Sequence, residues 1–253
     1  MPFIPIGDDN PRILIDKPVV TWSIIGACVG IFLIQLSLDP VAARAMPLSL
    51  GLIPAVLTGE ATLRPDLAII PAWLTIATSM FLHGGFGHLI GNMLFLGIFG
   101  DNIEDAMGHK RFAAFYLICG VAAALTHVLV APGTTTPMVG ASGAISGILG
   151  AYLLLHPKAW VTFLVVVFPI TLPAWILLGG WFLLQFFSAI GGGGGGVAWW
   201  AHVGGFVAGV VLVNWFRHHT IPLGGGGTQP KGVRLKRRHE RDTGPGPGSG
   251  PWG

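Results

Sequence analysis

Six long stretches of this sequence are apolar and free of charged residues, and they limit the folds open to the chain. About 18 to 20 such residues form a helix long enough to cross the hydrocarbon core of a bilayer. The stretches lie at residues 19–38, 82–100, 112–131, 142–156, 172–190 and 197–216. Only 10% of the 253 residues are charged, against roughly 25% in a soluble domain. The sequence predicts an all-α polytopic membrane protein, a bundle of six transmembrane helices.

Basic residues predict the orientation of this bundle, because loops rich in lysine and arginine stay on the cytoplasmic side. All but Arg44 and Arg64 of the 14 basic residues fall on one side of the predicted spans. Both termini are therefore predicted to be cytoplasmic. The predicted parts are an N-terminal segment at 1–18, the membrane domain at 19–216 and a basic, disordered tail at 217–253. The tail suits lipid headgroups better than nucleic acid, so the expected partner surface is the bilayer.

The N-terminal end of the first span argues against a cleaved secretion signal. The apolar run begins only at Val19, follows Asp16 and Lys17, and has the full length of a span. We therefore expect this run to remain as the first membrane helix.

Polar side chains inside the predicted spans are functional candidates, because they are costly at membrane depth. A helix rises 1.5 Å per residue, so Ser142 lies about 24 Å from Lys158, and His202 about 22 Å from Arg217. His88 lies about 20 Å from the charged end of the second span by the same measure, and Asn92 follows it on the same helix face. These residues from three spans are predicted to lie at similar depth below the outer surface.

Small residues predict which spans approach each other. Gly143, Gly147 and Ala151 recur every four residues in the fourth span, and Gly205 and Gly209 do so in the sixth. Stripes of this kind let two helix backbones lie close together in lipid. If the two stripes face each other, Ser142 lies beside His202.

A hydroxyl next to an imidazole is typical of nucleophilic catalysis, in which the imidazole takes the hydroxyl proton. Asn92, His88 and the backbone N–H of Ser142 are hydrogen-bond donors that suit an oxyanion. Taken singly, Ser142 also fits a packing residue, and His202 also fits a proton carrier or a haem ligand. His83 and His88 are poorly spaced for a metal on one helix face, so no metal is predicted.

Three motifs occur in order on alternating spans: HGGFGHLIGN, with His83, His88 and Asn92; GASG, with Gly140, Ser142 and Gly143; and AHVGGFVAG, with His202, Gly205 and Gly209. Together they resemble the rhomboid family of intramembrane serine proteases.

The resemblance implies a six-helix rhomboid-like bundle in which Ser142 is the nucleophile and His202 the general base and acid. It further implies that Asn92 and His88 bind the oxyanion, that His83 supports the rim of the site and that Gly205 and Gly209 form a close seam. Members of this family cleave transmembrane segments of other membrane proteins, use water and need no cofactor. The expected location is a bacterial-type plasma membrane, with the site opening to the extracytoplasmic side.

One departure from the family concerns the histidine. Some members place a tyrosine four residues after the nucleophile, where it stacks on the catalytic histidine, whereas this chain has Ser146. We expect Ser146 to hydrogen-bond His202 instead. The glycine run at 191–196 follows a span that resembles the family's lateral gate, and both a gate and a flexible linker remain open for it.

Two other functions stay as alternatives. A non-proteolytic relative would bind transmembrane helices in quality control or trafficking, although such relatives typically lose the serine or the histidine. A transporter or proton relay would use His88, His127 and His202, but the predicted spans hold no carboxylate at membrane depth, which disfavours it.

Overall fold

The computed structural model describes residues 3–165, 167–192 and 197–225, and within them it contains nine α-helices and three β-strands. The helices are α1 Val19–Ser37, α2 Pro40–Leu50, α3 Pro54–Leu57, α4 Thr75–Thr78, α5 Phe86–Met107, α6 His109–Val130, α7 Ser142–Leu155, α8 Ala174–Ile190 and α9 Trp199–Phe216. The strands are β1 Phe3–Asp8, β2 Trp160–Val165 and β3 Phe168–Pro173, and two 3₁₀ turns lie at Ala72–Leu74 and Ser79–Phe81. Residues 193–196 of the glycine run and the basic tail beyond residue 225 lie outside the described residues.

Three of the described helices, α1, α6 and α9, are long and apolar enough to cross a membrane. The pair Ala72–Phe81 and Phe86–Met107, bent by 79°, makes a fourth if it is counted as one span. Helices α7 and α8 are apolar but shorter, at 14 and 17 residues. The chain is thus a mainly helical membrane protein, while the count of six spans and the orientation of the termini stay predictions.

Helix α7 forms the centre of the bundle. Eleven of its 14 residues are buried, which fits a helix that is apolar on all sides. Its glycines allow neighbours to approach the backbone directly. A methyl group at Gly147 would overlap the side chain of Cys119 on α6, and one at Gly150 would overlap the carbonyl oxygen of Phe206 on α9.

The glycine stripes of α7 and α9 face each other and run in the same direction. A methyl group at Gly205 would overlap the carbonyl oxygen of Gly143, and one at Gly209 would overlap that of Gly147. The two helices therefore meet backbone to backbone over two turns. Because both begin at the same end of this contact, their first turns lie side by side, and these turns carry Ser142 and His202.

A three-stranded antiparallel sheet, in the order β1-β2-β3, covers one side of the bundle. Its inner face is buried at Pro5, Val161 and Phe163, and the Phe163 ring lies edge-on to Phe95 of α5, with 6.0 Å between ring centroids. The prediction of an all-α protein missed this sheet. The run from Trp160 to Val165 is rich in β-branched and aromatic residues, which favour strands. One of the strands that it pairs with, β1, lies far away at the start of the described chain.

Buried carboxylates of α5 hold the start of α1 and the segment that precedes it. Glu104 is fully buried and caps the first turn of α1, where free backbone N–H groups favour an anion. It accepts hydrogen bonds from Val20 N, Thr21 N and Thr21 Oγ1 at 2.7–2.9 Å. Asp105 accepts from the backbone N–H groups of Ile13, Leu14 and Ile15. The acids at the end of α5 therefore fix where α1 begins.

Asp8, at the end of β1, joins the sheet to two helices. The Tyr152 hydroxyl of α7 donates to Asp8 Oδ2 at 2.5 Å, and Asn102 Nδ2 of α5 donates to the same atom at 2.8 Å. Burial raises the pKa of Asp8 to about 6, and the nearby carboxylates of Asp101 and Asp9 act in the same direction.

Candidate active site

Ser142 is the first residue of α7 and follows a tight turn that only glycine fits. Gly140 has a φ of +121°, a conformation that side chains with a Cβ rarely adopt. Its N–H donates to the carbonyl oxygen of Ser79 at 2.8 Å. A Cβ at this position would lie 2.7 Å from Nε2 of His88. The turn therefore brings the chain close to α5 and leaves the backbone N–H of Ser142 in the first turn of a helix, where intrahelical acceptors are absent.

The Ser142 hydroxyl oxygen lies 2.8 Å from Nε2 of His202. His202 belongs to the first turn of α9 and is only 5% exposed. Its other ring nitrogen, Nδ1, lies 2.7 Å from the side-chain oxygen of Gln185 on α8. An amide oxygen only accepts hydrogen bonds, so the proton of the neutral ring is on Nδ1. Nε2 is then free to accept the hydroxyl proton of Ser142.

Gln185 is a site residue that the sequence analysis missed. It is 3% exposed and is one of four buried residues on α8. The available signal was its position, because an amide in the run WFLLQFFSAI is polar at membrane depth. Serine and histidine are common catalytic residue types, whereas glutamine is not.

Two indole rings flank His202, although the chain lacks the tyrosine that stacks on this histidine in some members of the family. The centroids of Trp181 and Trp199 lie 6.1 and 6.2 Å from that of His202, and Trp199 is edge-on at 88°. The expected hydrogen bond from Ser146 to His202 is wrong. The Ser146 hydroxyl donates to the carbonyl oxygen of Ser142 at 2.7 Å, one turn back along α7, so it serves its own helix.

Asn92 and His88 lie across from Ser142 on α5. Asn92 is 7% exposed, and its Nδ2 finds no hydrogen-bond partner within the described parts of the chain. Nδ1 of His88 accepts a hydrogen bond from the N–H of Gly84 at 3.4 Å, which places the ring proton on Nε2. Both side chains therefore offer an N–H donor, and both border the same cavity as Ser142.

His83 does not border this cavity. It is 1% exposed and packs edge-on against His88, with 5.2 Å between ring centroids. Its ring contact with His88 connects it to the site. No group of three or more His, Cys, Asp or Glu side chains in the described ranges is arranged to hold a metal ion.

The cavity measures about 590 Å³ and contains the Ser142–His202 pair. Its walls include His88, Asn92 and Trp181, and also Ile4 and Pro5 of β1. The strand that the sequence did not predict is thus part of the wall. A space of this size, mainly apolar with a few convergent polar groups, is typical of a ligand-binding or active site.

Fold and site together define an integral membrane protein with a part-buried serine–histidine pair at the mouth of a glycine-lined helix contact. A family model described as the Rhomboid domain matches residues 71–219, more than half of the chain. The chain belongs to the rhomboid family.

Several curated relatives carry rhomboid names. Rhomboid protein 1, mitochondrial, of Saccharomyces cerevisiae is 31% identical over 154 residues, which are 56% of this chain and 41% of that protein. Rhomboid-like protein 11, chloroplastic, of Arabidopsis thaliana is 39% identical over 84 residues, 33% and 30% of the two chains. Rhomboid protease GluP of Bacillus subtilis is 38% identical over 81 residues, 32% and 15% of the two chains.

Each match spans less than half of the relative's own length. The relatives are named for mitochondria and chloroplasts and also come from a bacterium. The comparisons therefore support an integral membrane protein and give no preference for the bacterial plasma membrane that we expected.

Proposed function

We propose that this chain is an intramembrane serine endopeptidase that hydrolyses peptide bonds in or near transmembrane segments of other membrane proteins. The observation that carries the proposal is the 2.8 Å contact between Ser142 Oγ and His202 Nε2 inside the cavity. The protease named among the relatives supports it as well. A relative that only binds helices would have no use for this contact.

The residues act in sequence. The Ser142 hydroxyl oxygen attacks the scissile carbonyl carbon while His202 takes the hydroxyl proton. N–H groups of Asn92, His88 and the Ser142 backbone then hold the tetrahedral oxyanion. His202 then gives its proton to the leaving amine, which departs and leaves an acyl ester on Ser142. Water then attacks the ester carbon and gives its proton to His202. The bond from this carbon to Ser142 Oγ breaks, His202 returns the proton to the serine oxygen, and the acyl group leaves as a carboxylic acid that ionises.

The predicted topology gives this chemistry its place in the membrane. Both termini are cytoplasmic in the proposal, six spans include the short helices α7 and α8, and the site opens to the extracytoplasmic side. Helix α7 begins at Ser142, so a helix shorter than the bilayer leaves the nucleophile below the outer surface, with room above it for water.

The test uses the full chain, purified in detergent and incubated with a model protein that has one transmembrane segment. Wild type should cleave the model protein, whereas Ser142→Ala and His202→Ala should not. Ser23→Ala is the matched control, because Ser23 is an exposed serine on α1 whose hydroxyl bonds the carbonyl of Val19 on the same helix, and it should cleave like wild type.

A fluorophosphonate probe, which reacts with activated serines, gives a second reading. It should label wild type and Ser23→Ala but not Ser142→Ala. Cleavage by Ser142→Ala at the wild-type rate would overturn the proposal. Binding of the model protein by wild type without any cleavage would instead favour the non-proteolytic alternative.

A further inference from the structure

We propose that Gln185 is a positioning residue for the reaction, in which its side-chain oxygen holds the Nδ1–H of His202 and so aims Nε2 at Ser142. This inference rests on the serine–histidine mechanism proposed above. The geometry is a chain of two hydrogen bonds, 2.7 Å from Gln185 to His202 and 2.8 Å from His202 to Ser142.

His202 needs an acceptor for Nδ1–H. A buried N–H without an acceptor destabilises the folded protein, and His202 is too enclosed to rely on bulk water. A ring flipped by 180° would point carbon atoms at both partners. The Gln185 oxygen therefore favours one ring orientation and one tautomer, both of which the reaction requires.

The other neighbours of His202 do not supply this acceptor. The indole rings of Trp181 and Trp199 carry N–H donors only, and the Ser146 hydroxyl is directed at the Ser142 carbonyl. Among the described residues, Gln185 is the side chain whose acceptor atom meets Nδ1 of His202.

An amide suits this position better than a carboxylate. Gln185 is 3% exposed in a helix of apolar residues, where an ionised carboxylate is expensive. An amide oxygen orients the imidazole at a smaller desolvation cost, and it stabilises the imidazolium less than a negative charge would. Gln185 thus supplies orientation, and the cavity keeps its low net charge.

The location of Gln185 adds a dependence on α8. The buried residues Ala174, Leu178, Gln185 and Ala189 lie along one stripe of this helix, and the ring of Phe182 stacks on Phe206 of α9 at 4.5 Å. Most of the rest of α8 is exposed to its surroundings. His202 is therefore held in its reactive orientation only while α8 stays against α9.

The test compares Gln185→Leu, which removes the acceptor but keeps a side chain of similar size, with Gln35→Leu on α1, which makes the same change away from His202. For Gln185→Leu we expect kcat to fall about 10- to 100-fold with KM within twofold, and fluorophosphonate labelling to slow by the same factor. Gln35→Leu should match wild type in all three measurements.

A pH profile separates positioning from a structural role. Gln185→Glu keeps an acceptor and adds a charge that stabilises the imidazolium. The acidic half-maximum of its kcat/KM profile should move up by about one pH unit, while Gln185→Leu should move it down. The other titratable groups that influence His202 are His88 on α5 and His127 on α6, and they are unchanged in both variants.

The outcomes distinguish this inference from the proposed function. If Ser142→Ala is inactive while Gln185→Leu keeps wild-type kcat and pH profile, the positioning role is overturned and the serine–histidine mechanism stands. If Ser142→Ala still cleaves, the mechanism itself fails. Should Gln185→Leu not fold, the profile of Gln185→Glu decides alone, and an unshifted profile overturns the positioning role.

Discussion

At the scale of single residues, the candidate active site depends on the hydrogen bonds that its buried side chains make or lack. His202 is held through Nδ1 by an amide and is flanked by two indole rings, so a neighbouring phenol is not required to fix it. Asn92 is buried with a donor that no described residue satisfies. Such a group destabilises the resting fold, which is consistent with a donor reserved for a charge that forms only during the reaction.

The unsatisfied amide of Asn92 gives a prediction at this scale. Asn92→Ala should lower kcat by about 10²- to 10³-fold with little change in KM, because it removes a donor that acts on the transition state. Steady-state cleavage of the model protein measures both constants. Asn214→Ala, on an exposed turn of α9, is the control and should leave both constants unchanged. A raised KM at constant kcat would assign Asn92 to substrate binding instead.

At the scale of elements, the distance between Ser142 and His202 is set by helix backbones. In the α7–α9 contact, carbonyl oxygens of α7 occupy the space that side chains on the glycines of α9 would need. Because dense interiors tolerate few added atoms, a methyl group placed two turns from the reacting atoms separates the helices and lengthens the contact between the two side chains.

Gly209→Ala should therefore destabilise the protein by about 1–3 kcal/mol, the usual cost of overfilling a core, and should lower cleavage even where the protein stays folded. Thermal unfolding in detergent and the cleavage rate are the two measurements. Gly179→Ala on α8 is the matched control, since a Cβ there meets nothing within 4 Å, and it should be neutral or slightly stabilising. If the two substitutions changed stability and cleavage equally, the close contact of Gly209 with α7 would not be the cause.

The elements also show what the sequence could predict. The bounds of α1, α6 and α9 fall within a few residues of the apolar runs, and the facing glycine stripes follow from a spacing of four, because both signals are local. The pairing of β1 with β2 joins segments far apart in the sequence, which no local pattern specifies. Gln185 was missed for a related reason, since its role exists only where α8 meets α9.

At the scale of the whole molecule, the segment before α1 ties the bundle together. Its strand lines the cavity, its Asp8 meets α5 and α7, and its backbone is held by Asp105. Asp8 carries a pH dependence, because its pKa is raised in the folded protein to about 6 from an ordinary 3.8. Between these values the folded state keeps the proton longer than the unfolded state, so the contribution of Asp8 to stability falls as pH rises.

Asp8→Asn, which stays neutral, should accordingly gain melting temperature over wild type as pH increases. The difference in Tm between variant and wild type should be larger at pH 7.5 than at pH 4.5, as measured by thermal unfolding in detergent. Asp66→Asn changes an exposed carboxylate paired with Arg64, and its difference from wild type should not grow in this way. A constant difference for Asp8→Asn would mean that Asp8 titrates alike in the folded and unfolded states.

The pairing of β1 with β2 has a consequence for biosynthesis. Ile4 pairs with Leu164, so the ribosome adds roughly 160 residues between the two partners, which takes about 8 to 32 s at ordinary elongation rates. During that interval α1 and the next helices have already left the ribosome while β1 has no strand to join. The newly made chain therefore passes through a stage in which α1 to α7 have been made while the β1 wall of the cavity has no partner strand.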